Sequence, residues 1–108
     1  MSNLAKFFAA LADENRLRLL HLLKDGEVCV CHLQEVLQTN QPKISRHLAY
    51  LRRAGLVASR KDGRWTHYRL KLTDRNMAKI LAETLNCLGQ QAPIKKDNER
   101  LKRVVCCP

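Results

Sequence analysis

Residues 27–55 read EVCVCHLQEVLQTNQPKISRHLAYLRRAG, and they contain the pattern that most clearly predicts the fold. Its apolar residues recur every three or four positions from about residue 30 to 37, which predicts a short helix. A polar turn follows, and Asn40 or Thr39 is a suitable N-cap for a second helix. Pro42 then falls in the first turn, where its missing N–H is not needed. Gly55 ends the second helix. Two helices joined by a short turn predict a helix-turn-helix.

Downstream of Gly55 the pattern changes from helical to strand-like. Residues 56–61 and 65–70 are rich in aromatic and β-branched side chains, and Asp62-Gly63 between them is a strong signal for a β-hairpin. Helix, turn, helix and hairpin in this order predict a mainly α fold with a β-hairpin, a winged helix-turn-helix.

The other apolar segments predict helices outside the motif. Residues 4–11 predict a first helix, Asp13 is a suitable N-cap for the next, and Asp74 caps a long helix that ends at Gly89. We expect the first and last of these to form a helical dimer interface, because a domain of this size leaves much apolar surface to cover. The alternative is packing within one protomer. The predicted interface residues are Leu4, Phe7, Phe8, Met77, Leu81, Leu85 and Leu88.

The charge of the chain indicates a polyanionic partner. Its 108 residues include 20 Lys and Arg against 10 Asp and Glu, which gives a net charge of +10 and favours nucleic acid over a membrane surface. No apolar run approaches the roughly 20 residues that span a bilayer. The N-terminus does not resemble a secretory signal, so we expect a cytoplasmic protein whose five cysteines are thiols.

The second helix of the motif has the side chains that read a major groove. Gln41 can pair with adenine, Lys43 and Arg46 can bind guanine or phosphate, and the short Ser45 allows close approach. Residues 41–71 contain nine Lys and Arg and a single acid, which argues against a helix that merely faces water. The residues predicted to contact double-stranded DNA are Gln41, Lys43, Ser45, Arg46 and His47 on the helix, and Arg60, Lys61 and Arg64 in the hairpin.

Cys29 and Cys31 stand where the helix-turn-helix begins, and thiolates are soft metal ligands. Within a regular helix two side chains at this spacing diverge by about 200°. They can share one ion only if Cys29 precedes the helix and Cys31 lies in its first turn. A helix N-terminus also favours the thiolate form. The alternative is two small buried hydrophobic residues.

Three further cysteines lie near the C-terminus. Cys106 and Cys107 form a vicinal dithiol that is either a source of further metal ligands or inert, while Cys87 more commonly fits a core position. We predict a winged helix-turn-helix DNA-binding and dimerisation domain over residues 1–89 and a basic, flexible tail over residues 90–108. No catalytic triad, carboxylate pair or glycine-rich phosphate loop is evident, so we do not expect an enzyme.

Taken together, these motifs closely resemble the ArsR/SmtB family. The similarity covers about residues 4–88 and is carried by EVCVCHL at 27–33, NQPKISRHL at 40–48 and DGRWTHYRL at 62–70. The resemblance implies a homodimeric repressor without a permanent cofactor. Such a repressor leaves its operator when an inducer, trivalent arsenic or antimony, binds the two cysteines.

One position departs from the pattern of the arsenic-sensing members. A third cysteine commonly stands three residues after the second, where this chain has Gln34. The third ligand is therefore open among Cys106, Cys107, Cys87 and an external thiol. Zinc sensing through Asp and His on the last helix is not expected, because no histidine follows Asp74. Cadmium or lead sensors usually recruit additional N-terminal cysteines, and residues 1–28 have none.

Other functions remain as alternatives. The same fold could respond to thiol oxidation, or to cadmium or lead, instead of arsenic. A cytosolic metal-binding protein without DNA specificity would also use the thiols and the basic surface, but it predicts no sequence-specific binding to DNA.

Overall fold

The computed structural model describes residues 2–104, with the side chain of Ser2 left aside. In this range six helices and three short strands surround one apolar core. The elements in chain order are α1 (Ser2–Leu11), α2 (Glu14–Leu22), β1 (Val28–Cys29), α3 (Val30–Leu37), α4 (Gln41–Arg53), β2 (Val57–Asp62), β3 (Trp65–Leu70), α5 (Arg75–Leu88) and α6 (Ala92–Arg103). None of the helices in residues 2–104 has the length and apolar character needed to cross a bilayer.

Three helices begin where the sequence predicted a cap. The carboxylate of Asp13 accepts from the backbone N–H of Arg16 (3.1 Å), and the Asp74 carboxylate accepts from Met77 (2.9 Å). The side-chain oxygen of Asn40 accepts from the backbone N–H of Lys43 at 2.9 Å. Each bond satisfies a backbone donor that the helix itself leaves unpaired, so local chemistry fixes these three helix starts.

Helices α3 and α4 form the predicted helix-turn-helix. Gln38 ends α3 in the left-handed region (φ 53°), and two residues later Asn40 caps α4. The apolar sides of both helices are buried in one core with α2 and α1. The fully or almost fully buried residues of the two helices are Leu33, Val36, Leu37, Ile44, Leu48 and Leu51. This burial fixes which face of α4 points outward.

The wing contains a strand that the sequence did not predict. Strands β2 and β3 form the expected antiparallel hairpin, and β1 pairs with the other edge of β3, giving the order β1-β3-β2. The hairpin turn is Gly63-Arg64, one residue later than the Asp-Gly pair indicated. Gly63, at the first turn position, has φ 63°, a conformation that favours glycine there.

The described part of the predicted flexible tail, residues 90–104, contains a helix. Ala92–Arg103 form a helix that packs against α2 and α3. Its inward side carries Ile94, Asp97 and Leu101, and Val104 follows directly after the helix, so an aspartate interrupts an otherwise apolar stripe. In the sequence this aspartate breaks the apolar periodicity, so the helix was not predicted. Its burial depends on a partner that is distant in the chain. Residues 105–108 lie outside the described part of the chain.

Candidate nucleic-acid interface and thiol site

The start of α4 presents an exposed polar and basic surface. Gln41, Lys43, Ser45 and Arg46 are all exposed, while Ile44 between them is fully buried. The N-terminal end of α4, which is the positive end of its helix dipole, therefore points outward together with the cations Lys43 and Arg46. Amide, hydroxyl and cationic groups at a helix N-terminus are the donors that base edges and phosphates accept.

His47 lies apart from this surface. Its side chain is 20% exposed, and its Nδ1 atom is 4.0 Å from a carboxylate oxygen of Asp13, the N-cap of α2. A side chain turned toward α2 is less available to a groove than its four neighbours. The structure thus places His47 at the junction of α2 and α4, and its predicted contact with DNA is the least supported on this helix.

The three predicted wing residues fall into two groups. Lys61 and Arg64 are exposed at the hairpin tip, and the Arg64 guanidinium lies 5.3 Å from the ring centroid of Trp65. Arg60 instead donates to both carboxylate oxygens of Glu27, with a shortest distance of 2.7 Å. This hydrogen bonding holds the pKa of Glu27 below its ordinary value. Arg60 is therefore already paired with an acid.

The sulfur atoms of Cys29 and Cys31 meet at the boundary between β1 and α3. Cys29 is buried, ends β1 and occupies the N-cap position of α3, whereas Cys31 is the second residue of the helix. Their Sγ atoms are 3.2 Å apart. Cys29 thus precedes the helix and Cys31 lies in its first turn, the arrangement that sharing one ion requires.

The sulfur separation also limits the geometry of a bound ion. Two sulfurs, each about 2.3 Å from one ion, would be separated by the observed 3.2 Å at a bond angle of about 90°. A tetrahedral ion would need about 3.8 Å between them. Without movement, the pair therefore suits a pyramidal ion with narrow bond angles better than a tetrahedral one.

The described residues do not supply a third ligand beside this pair. No group of three His, Cys, Asp or Glu side chains in residues 2–104 is arranged to hold a metal ion. The Nε2 atom of His32 is buried and makes no hydrogen bond within the described residues. His32 nevertheless does not form a three-residue ligand group with Cys29 and Cys31. Cys87 is exposed on α5. Cys106 and Cys107 lie outside the described residues.

The thiol site is joined to the wing as well as to the helix-turn-helix. Cys29 is the register partner of His67 in β3, and His67 is in turn the register partner of Arg60 in β2. Glu27, two residues before Cys29, binds Arg60 and lies 4.0 Å from Nδ1 of His67. Cys29 is therefore linked directly to the wing sheet and to the first helix of the helix-turn-helix.

The comparisons with known proteins agree with this architecture. Residues 13–59 match the family described as "Bacterial regulatory protein, arsR family". The chain is 45% identical over 103 residues to the arsenical resistance operon repressor of Escherichia coli K12, covering 94% of this chain and 86% of that protein. The chain belongs to the ArsR family.

Solved structures support the same assignment. HlyU from Vibrio cholerae superposes with a TM-score of 0.74 at 32% identity, covering 82% of this chain and 95% of that one. Mb0332 from Mycobacterium bovis, a homodimeric winged helix-turn-helix DNA-binding domain, has a TM-score of 0.69 at 27% identity. That match covers 84% of this chain and 82% of that one. The predicted winged helix-turn-helix fold is thereby confirmed.

The predicted dimer-interface residues of this ArsR-family protein differ in how deeply they are buried. Phe7, Leu81 and Leu85 are at most 6% exposed and belong to the protomer's own core, so a partner is not needed to cover them. Leu4 is 38% and Phe8 is 49% exposed, and these two leave apolar surface on α1. Met77 and Leu88 on α5 are partly buried against the core.

Sequence reasoning missed three features of this ArsR-family site: strand β1, the pairing of Glu27 with Arg60, and the docking of α6. The ion pair joins residues 33 positions apart, and two-residue strands have no periodicity to detect. The only local signal for α6 was Pro93, which occupies its first turn, where proline is favoured.

Proposed function

We propose that this protein is a metalloid-responsive transcriptional repressor that acts in the cytoplasm. It binds operator DNA as a homodimer and is released when trivalent arsenic or antimony binds Cys29 and Cys31, without a permanent cofactor. The observation that carries the proposal is the 3.2 Å separation of the two sulfurs at the start of the helix-turn-helix. The 45% identity to an arsenical resistance operon repressor supports the same inducer class.

Binding to double-stranded DNA rests on the exposed start of α4. Gln41, Lys43, Ser45 and Arg46 would enter a major groove, and Lys61 and Arg64 would lie along the neighbouring phosphates. A homodimer would place two such helices roughly 34–36 Å apart on a near-palindromic site. The exposed Leu4 and Phe8 of α1, with the outer side of α5, offer the surface for that dimer.

The inducer site requires a third sulfur, because trivalent arsenic favours three. Cys106 and Cys107 follow Val104, the last described residue, by two and three positions, a span of up to about 7–11 Å. Helix α6 packs against α3, whose eight residues extend for about 12 Å. Because α6 packs against the helix that carries Cys31, we assign one of these two thiols as the third ligand.

Release follows from the position of the thiols between β1 and α3. An ion that draws three sulfurs together changes the path of the chain where the wing and the helix-turn-helix meet. If that conformation binds DNA more weakly, DNA must weaken ion binding by the same factor. A coupling of about 1–3 kcal/mol corresponds to a change of roughly 5–150-fold in affinity.

The decisive experiment is fluorescence anisotropy of the reduced protein on DNA from its own promoter, titrated with arsenite. We expect release of the wild type and no release of Cys29→Ser/Cys31→Ser. Cys87→Ser is the matched control, because its thiol is exposed on α5, and it should respond as the wild type does. Release of the Cys29→Ser/Cys31→Ser variant would move the site elsewhere, and no release in any variant would refute the inducer.

The same sulfur separation favours a second candidate, a repressor that responds to oxidation. Two sulfurs 3.2 Å apart are close enough for oxidation to alter both, and a disulfide needs a further approach to about 2.05 Å. A parallel titration with peroxide separates the two functions. Release by peroxide and not by arsenite would favour the redox switch.

A further inference from the structure

Helix α6 is docked in a fixed orientation and turns a basic face outward. Asp97 is only 1% exposed, and its two carboxylate oxygens accept from Nε and Nη2 of Arg18 on α2, each at 2.8 Å. Parallel, bidentate bonds of this kind form in one relative orientation, and Ile94 on the same side of α6 is 2% exposed. The rotation of α6 is therefore set. The charged residues that remain exposed on its other faces are Lys95, Lys96, Glu99, Lys102 and Arg103.

The four cations of this face have no partner that explains them. Within residues 2–104 none of them forms an ion pair, in contrast to Arg60 of the wing. The helix dipole accounts for Lys102 and Arg103, which lie in the last turn. It does not account for Lys95 and Lys96, which lie in the half of α6 nearer to the positive end of the dipole. Unpaired cations on a fixed surface favour a polyanionic partner.

Two of the four cations lie on the side of α6 that faces the helix-turn-helix. The Arg100 guanidinium donates to the backbone carbonyl of Val36, next to the last residue of α3, at 3.2 Å. Lys96 stands four residues before Arg100 and Arg103 stands three residues after it, so the three share one face of the helix. Both neighbours lie within about 6 Å of Arg100 along the helix axis.

This side of α6 is also close to the start of α4. Val36 precedes Gln41, the first residue of α4, by five positions, so the chain between them spans at most about 18 Å. The major groove that α4 would enter is about 12 Å wide, with a phosphate strand along each edge. We propose that Lys96 and Arg103 bind phosphates of the operator beside the groove that α4 reads. This inference rests on the proposed function, which places the start of α4 in a major groove.

The expected effect follows from the number of phosphates bound. Each contact contributes about −0.9 to the slope of log affinity against log salt concentration, so two cations in each protomer of a homodimer contribute about −3.6. Phosphate contacts position a protein on DNA without reading the bases. Their loss should therefore weaken binding to the operator and to a scrambled duplex alike, and the ratio of the two affinities should stay within about twofold of the wild type.

The test compares two double variants of α6 by fluorescence anisotropy at four or more salt concentrations. Lys96→Gln/Arg103→Gln removes the two cations on the α3 side, and we expect it to make the slope shallower by about 3.6. Lys95→Gln/Lys102→Gln is the matched control, because it removes two exposed cations that lie about 140–160° from Arg100 around the helix. The control should keep the wild-type slope. Both variants lose two charges at exposed positions, so folding and net charge affect them alike.

The outcomes separate this contact from the proposed function. An unchanged slope in Lys96→Gln/Arg103→Gln would overturn the contact. An equal change in both variants would also overturn it, because total charge and not position would then set the slope. A wild type that binds the operator no more tightly than the scrambled duplex would overturn the proposed function and this inference together. If the wild type does discriminate between the two duplexes, a failure of the comparison is specific to α6.

Discussion

The ion pair between Glu27 and Arg60 predicts how the wing contributes to the binding of DNA. Arg60 donates to both oxygens of Glu27 at 2.7–3.1 Å, so its charge is already balanced and it should contact phosphate weakly. Glu27→Gln should release Arg60 to the phosphates. Each phosphate contact adds about −0.9 to the slope of log affinity against log salt concentration.

A homodimer has two wings, so we expect Glu27→Gln to steepen that slope by about 1.8. Between 50 and 200 mM salt, a fourfold change in concentration, the extra loss of affinity should be about 12-fold. The assay is operator binding by fluorescence anisotropy at four or more salt concentrations. Lys61→Gln is the reference for an exposed wing cation and should make the slope shallower by about the same amount.

Arg60→Gln alone is a poor test, because it leaves the negative charge of Glu27 without the cation that balances it. The informative partner is Glu27→Gln/Arg60→Gln, which should return the slope to that of the wild type. An unchanged slope in Glu27→Gln, together with a shallower slope in the double variant, would refute the reasoning. That result would mean that Arg60 contacts phosphate even while Glu27 is present.

Three further predictions concern stability and assembly. Phe7→Ala, at a fully buried position, should lower the free energy of unfolding by about 3–5 kcal/mol in urea titrations, whereas Phe8→Ala (49% exposed) should mainly weaken self-association in sedimentation equilibrium. Asn40→Ala removes the cap of α4 and should cost about 1 kcal/mol; a loss near zero would show that water caps the helix equally well. Burial lowers the pKa of His21, so the unfolded chain binds more protons and stability should fall as the pH drops below about 6.5. His21→Gln should reduce the difference in unfolding free energy between pH 7.5 and 5.5, and an unchanged difference would point to other groups.

Much of the fold is determined by local sequence. Asp13, Asn40 and Asp74 cap three helices with their own side chains, and a bond between residues three positions apart needs no tertiary context. Apolar spacing likewise identified the buried stripe of α4, and therefore the exposed face with Gln41, Lys43, Ser45 and Arg46. Apolar spacing also placed the start of α3 near Val30. It therefore predicted that Cys29 precedes the helix and that Cys31 lies in its first turn.

The remaining side chains each have several compatible partners, and which one they contact depends on the tertiary fold. The sequence assigned Phe7, Leu81 and Leu85 to a dimer interface, but periodicity identifies an apolar face without saying whether its own chain or a second copy covers it. It assigned Arg60 to DNA, because a cation near a hairpin tip carries no sign of an acid 33 residues away. Helix α6 was hidden for the same reason: Asp97 is compatible with a buried face only because Arg18, 79 residues distant, satisfies both of its oxygens.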